Sequence, residues 1–237
     1  MNRAAFTLSA IVVAILLSLG LREALQVAPI EATMGNIYRI FYYHVPAYAT
    51  AFTMFAVNLL ASIFYLVRRH SPAAAAADAV AVSSAEVGVI FCSLGLMTGM
   101  LWAKPVWGIW WTWDPRLTST FVLWLIYVSY LMLRRLSESG QAPTLAAALA
   151  IFGFVDVPIV YMSIRWWRTQ HPQPVIFGEQ GSGLDPSMWP ALLINFAGFL
   201  CYGALIFWVR YKLERARQEL HEAQAVRSLE LARAEAR

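Results

Sequence analysis

Residues 189–209 read WPALLINFAGFLCYGALIFWV, an uncharged run that gives way at 210 to RYKLERAR. A helix needs about 20 apolar residues, at about 1.5 Å each, to cross roughly 30 Å of hydrocarbon, and this run is long enough. Working outward from it, windows of the same kind lie at 4–21, 46–67, 79–101, 117–133 and 143–164. The whole chain is 59% hydrophobic and only 14% charged over 237 residues, which excludes an ordinary water-soluble domain. The predicted fold is all-α, a polytopic membrane protein of six transmembrane helices with a tryptophan-rich outer loop between the third and fourth. Residues 1–209 form the transmembrane domain in this reading, and 210–237 a charged cytoplasmic helical tail.

The first window follows Arg3 and has the form of either a signal peptide or a span. We read it as a retained span, because cleavage would leave five spans and put the N-terminus outside, which the charge distribution does not require. With both termini inside, twelve of the eighteen Lys and Arg residues fall on inner segments: Arg3, Arg68, Arg69, Arg134, Arg135, Arg210, Lys212, Arg215, Arg217, Arg227, Arg233 and Arg237. Arg22, Arg39, Lys104, Arg116, Arg165 and Arg168 remain outside. Positive charge is retained on the cytoplasmic side of membrane proteins, so the termini are predicted to be cytoplasmic. The net charge of +4 then belongs to the inner rim and tail, with no concentrated nucleic-acid surface.

The outer segments are 22–45, 102–116 and 165–188, and function is expected there. The inner connections are short; the alanine run between His70 and Asp78 is read as a turn. In the tail, Glu214/Arg217 and Arg215/Glu219 have helix-pairing spacings. Leu213, Ala216, Leu220 and Ala223 begin a heptad that fails at Arg227 and Glu230, which favours a solvated helix over a coiled coil. Cys92 and Cys201 lie within spans, and no CxxC or CxxCH occurs, so both are read as packing residues, and thiol chemistry and covalent heme attachment to this chain are poorly supported.

Residues 107–118 read WGIWWTWDPRLT. An interfacial aromatic belt would be two-sided. Here eight of the ten tryptophans lie in or beside outer segments (Trp102, Trp107, Trp110, Trp111, Trp113, Trp166, Trp167 and Trp189), and only Trp208 is near the inner edge. Wound as a helical turn, Trp107, Trp110, Trp111 and Asp114 would share one face. That aromatic platform, with indole N–H donors, suits a large planar ligand with an anionic edge, such as a porphyrin. Asp114 before Pro115 also has the form of a helix N-cap that launches the fourth span.

Two of the four histidines are outward. His44 closes the first outer segment (IYRIFYYHVP) and His171 sits in the third (RWWRTQHP). Neutral imidazole is a common axial ligand of heme iron, and two from separate loops could hold a porphyrin between them. Either alone is more often a polar interfacial residue. Arg39, Arg116, Arg165 and Arg168 are placed to pair with propionates, or simply to anchor at the interface. Inside the spans, Glu86 is read as snorkelling, Asp156 as bonding to groups freed by a kink at Pro158, and Asn58 and Asn195 are the other polar candidates.

These residues resemble the tryptophan-rich-motif heme-handling family of cytochrome c maturation, whose mark is a WGxWWxWD loop flanked by two outer histidines. Length and span number match its CcmC-type branch rather than the much longer heme lyase subunits. The resemblance runs from about residue 35 to 189 through GNIYRIFYYHVP, AKPVWGIWWTWDPRLTS, VPIVYMSIRWWRTQH and LDPSM. It implies heme b, held non-covalently with its iron on His44 and His171, over Trp107, Trp110, Trp111, Trp113 and Asp114, with Arg116 beside them. It further implies a membrane-anchored periplasmic heme chaperone (CcmE-like), a small single-span subunit (CcmD-like) and an ABC transporter pair (CcmA/CcmB-like). The short lead and long charged tail depart from the family and leave the cytoplasmic contacts open.

The expected function is a non-enzymatic one: to hold heme at the outer face of the inner membrane and present it to the chaperone. No nucleotide-binding loop is present, so any ATP use is assigned to a partner. The alternative is a permease that itself translocates heme or another substrate, for which the spans offer few polar residues. A quinol-to-heme oxidoreductase would want histidines within the inner parts of spans, and His70 lies in a connection.

Overall fold

The computed structural model describes residues 2–137, 141–174 and 183–235. Arg237 and the middle of the third predicted outer segment lie outside the described residues. Among the described residues there are seven α-helices and no β-strand: α1 (Arg3–Arg22), α2 (Phe41–Arg68), α3 (Ala74–Trp107), α4 (Pro115–Leu136), α5 (Ala142–Phe154), α6 (Asp156–Trp166) and α7 (Trp189–Glu235). With their adjoining turns they make six segments long and apolar enough to cross a membrane, and each contains one predicted window. α5 and α6 together supply the fifth.

The helices are longer than the windows because hydropathy stops at the first charge and backbone geometry does not. α3 begins at Ala74, inside the alanine run read as a turn; alanine is the strongest helix former, and Asp78 is accommodated by pairing. Its carboxylate meets Arg134 Nη2 at 2.6 Å and accepts from Gln218 Nε2 at 3.2 Å. Glu86 does not snorkel: Arg210 Nε donates to it at 2.5 Å, with Arg135 at 3.6 Å. Charges at this depth are costly unless paired, and these pairs bind α3 to α4 and α7.

The fifth segment breaks at Val155, where Pro158 has no N–H for the carbonyl of Phe154. Asp156 does not mend the break as expected, since its Oδ2 is buried without a hydrogen-bond partner. Asn195, by contrast, works across helices, donating to Gly20 O at 3.0 Å and so tying α7 to α1.

The core is set by small residues that admit rings. α2 and α3 pack closely along their length, and a Cβ on Gly88 would lie 2.5 Å from the Phe55 ring. Phe55 in turn stacks on Tyr127 of α4 at 3.7 Å between centroids. Cys92 is wholly buried in this cluster, and Cys201 is exposed on α7; both are free thiols. α7 continues without interruption past its apolar part to Glu235, with Glu214–Arg217 and Arg215–Glu219 paired at 3.8 and 3.7 Å. A second, smaller apolar cluster of Ala24, Tyr42, Leu184, Met188 and Leu192 closes the end of the bundle nearer the tryptophan-rich stretch.

Candidate functional site

The tryptophan stretch is not a helical turn. α3 ends at Trp107 because Gly108 takes a left-handed conformation (φ 79°), its N–H capping Lys104 O at 3.0 Å. Lys104 Nζ returns to Gly108 O at 2.9 Å. At the other end Pro115 forces Asp114 into extended backbone (φ −64°, ψ 144°), so the residues between have no helical path. The rings therefore do not form one flat shelf. Trp107 meets Trp102 edge-on at 5.0 Å and 82°, while Trp111 meets Trp113 at 5.7 Å and 84° and also abuts Phe121. Trp110 and Trp113 are the exposed members, at 54% and 74%. Trp111 is inward, and its indole Nε1 is buried without a hydrogen-bond partner.

Asp114 joins two segments of the chain. It caps α4 as its position before proline predicts, Oδ1 accepting from Arg116 N at 2.9 Å. Its other oxygen accepts from the Gln170 backbone N–H at 2.9 Å, fastening the segment after α6 to the tryptophan stretch. Arg116 completes the junction by donating through Nη1 to the carbonyls of Val160 and Tyr161 on α6, at 2.8 and 3.2 Å. A groove of about 450 Å³ runs along this junction, lined by Trp113, Pro115, Arg168 and Thr169 among others.

His171 follows Gln170 directly and is placed by that bond. Its backbone N–H donates to Thr169 Oγ1 at 3.0 Å, and its Nδ1 lies 2.8 Å from Pro172 O. Partial burial, and then the charge of Arg116, hold its imidazole down from the usual 6.5 to about 4, so the ring is neutral at physiological pH.

His44 stands on the first turns of α2 rather than on a loop, because a 3₁₀ turn at Asn36–Ile40 runs straight into that helix. Its Nδ1 lies 3.0 Å from Thr98 Oγ1 of α3, and Tyr48 packs edge-on against its ring at 4.9 Å. His171 and Arg116 are its electrostatic neighbours, although both are far from it in sequence.

The structure thus gathers His44, His171, Asp114 and Arg116 into one neighbourhood, with Trp111 and Trp113 attached to it through Asp114. Trp107 belongs to a separate pair with Trp102, and Trp110 sits under Lys104 at 6.0 Å. Arg39 is occupied elsewhere, bonding to Asn36 and to the carbonyl of Ala24. Arg165 lies over the Tyr161 ring at 5.3 Å. Sequence reasoning passed over Thr98 and Gln170. Thr98 is a hydroxyl within an apolar span at the depth of His44, which was a usable signal; Gln170 contributes only its backbone, and no side-chain reading would single it out. Among the described residues no group of three or more His, Cys, Asp or Glu forms a protein-only metal site. Two imidazoles from separate segments fit instead a metal that arrives with its own equatorial ligands.

Comparison with known proteins agrees on kinship. The family model described as heme exporter protein C matches residues 1–226. The heme exporter protein C of Bradyrhizobium diazoefficiens is 34% identical over 221 residues, covering 93% of this chain and 80% of that one. The protein of the same name from Escherichia coli K12 is 34% identical over 204 residues, 86% and 80% of the two chains. A mitochondrial protein of Arabidopsis thaliana, described as ccmC-like and of cytochrome c biosynthesis, is 34% identical over 200 residues, 84% and 72%. With nearly its whole length matched in this way, the chain belongs to the heme exporter protein C family.

Proposed function

We propose that this chain handles heme for c-type cytochrome biogenesis in a bacterial inner membrane, holding it at the periplasmic face and presenting it to a periplasmic, membrane-anchored chaperone. The observation that carries this is that His44 of α2 and His171 of the segment after α6 are electrostatic neighbours that both sense Arg116, with Asp114 fastening the segment that bears His171. Heme b would supply the iron, and the two imidazoles are the groups that would hold it. Trp111, Trp113 and the exposed Trp110 offer edges and faces to the macrocycle, Trp107 buttresses the stretch from α3, and Asp114 fixes the loops. Arg116 lends positive charge near the propionates while its Nη1 stays on α6. The termini and the charged continuation of α7 face the cytoplasm, a reading supported by the distribution of basic residues. A single-span subunit and an ATP-binding-cassette pair complete the assembly.

Presentation is favoured over translocation because Asp78 and Glu86, the acidic residues within α3, are both engaged by arginines and so line no open polar path. The test is transfer. The purified chain loaded with heme, mixed with the heme-free chaperone in a membrane mimetic, is expected to lose its Soret band as the chaperone gains one. No transfer, combined with heme uptake into sealed vesicles that hold this chain alone, rejects the reading in favour of a permease.

The depressed His171 value sets an acid limit. A ring titrating near 4 keeps its ligating lone pair as pH falls from 7 to 5 and loses it only as pH approaches 4. Hemin titrations of the purified protein at pH 7 and pH 5 are expected to agree closely. A loss centred near 6.5 would mean that the ring is freely solvated.

A further inference from the structure

The two histidines are held in the same way, each through Nδ1. For His171 the partner is the Pro172 carbonyl, which can only accept, so Nδ1 carries the proton and Nε2 the lone pair. For His44 the partner is a hydroxyl, which could donate or accept, and the tautomer depends on where that hydroxyl sends its single proton.

The surroundings of Thr98 decide the matter. Its Oγ1 lies 2.7 Å from Leu94 O and 3.0 Å from Gly95 O, both carbonyls of the preceding turn of α3. A threonine within a helix commonly donates to such a carbonyl, and here the shortest of its three contacts is to one. With the proton spent there, Oγ1 can offer only lone pairs to His44 Nδ1 at 3.0 Å, and that nitrogen must be the donor.

The ring is kept in this orientation by its neighbours. A Cβ on residue 99 would come within 3.2 Å of His44 Cε1, so Gly99 lets the Nδ1–Cε1 edge lie against α3. Tyr48 closes against the ring edge-on at 4.9 Å. Nε2 has no hydrogen-bond partner among the described residues.

We infer that Thr98 is the positioning residue that holds His44 as its Nδ1–H tautomer, keeping Nε2 unprotonated for the heme iron. The second half of this rests on the proposed ligand role of His44; the first half does not. Thr98 is also the only side chain in the pair of devices, since the Pro172 carbonyl cannot be removed by substitution. The neutral histidine side chain free in water prefers the proton on Nε2, so removing the Thr98 acceptor returns His44 to the form that cannot ligate through that atom. Outer partners of this kind, when lost, lower metal affinity about 10- to 100-fold.

The test uses the full chain in nanodiscs, labelled with ¹⁵N-histidine and free of heme, with the His44 signals assigned by difference from His44→Gln. The wild type is expected to show a protonated Nδ1 and a bare Nε2. Thr98→Val, close to threonine in shape, should shift the proton toward Nε2, and Thr98→Ser should restore the wild-type pattern. A wild-type His44 protonated at Nε2 overturns the inference without recourse to any variant, and so does a Thr98→Val spectrum that does not change. In a second arm, hemin titration should weaken about 10- to 100-fold in Thr98→Val and recover in Thr98→Ser. An altered tautomer with unaltered heme affinity rejects the positioning role. If His44→Ala itself retains full heme affinity, the ligand assignment falls while the tautomer result stands.

Discussion

Purified protein in which both His44 and His171 are alanine is expected to carry no heme, and each single variant to retain less than a tenth of the wild-type Soret absorbance after washing. Porphyrin stacking alone is non-directional and competes with lipid, which offers an apolar ring an equally apolar home. In the proposed site, bonds from the two imidazoles to iron are what would set it apart from the bilayer. Each imidazole is pre-oriented, His44 by Thr98 and His171 by Pro172, so each loss removes an organised ligand. Absorption spectra of protein expressed with ample heme give the measurement. A double variant with an undiminished Soret band would place the iron elsewhere.

Asp114→Ala is expected to be nearly as severe, although the carboxylate need not touch heme. The substitution removes the cap of α4, at about 1 kcal/mol, and strands the Gln170 N–H, at roughly 1–3 kcal/mol. The greater effect is positional. Gln170 precedes His171 directly, so without its anchor the imidazole loses its fixed distance to His44. Heme content should fall several-fold, and protease should cut more readily after α6 than in wild type. Asp114→Asn keeps one acceptor but turns an amide toward one of two N–H donors, so an intermediate loss is expected. Heme content in Asp114→Ala equal to that of wild type would mean that the two segments are held together without it.

Much of this fold was legible in the residues, for a physical reason. A bilayer demands uncharged runs of a set length, and all six could be read directly, as could the cap at Asp114 and the ion pairs of the tail. What escaped was anything decided by partners distant in sequence. Asp78 and Glu86 sit in α3 because arginines of α4 and α7 reach them. The platform expected from the spacing of Trp107, Trp110, Trp111 and Asp114 assumed helical backbone, which Gly108 and Pro115 forbid. Both signals stand in the sequence, and local backbone chemistry outweighed the periodicity. His44 and His171 were singled out by residue type and placement along the chain, but their nearness to each other comes from tertiary packing alone.

The unbroken run of α7 has a mechanical corollary. Residues 210–235 extend roughly 40 Å beyond the apolar part of that helix, with no hinge along the way. A partner gripping the far tip would hold a stiff mast, and the load would arrive at the foot of the mast, where Arg210 grasps Glu86. A limp tether of the same length would dissipate that push; a rod delivers it as leverage on the bundle.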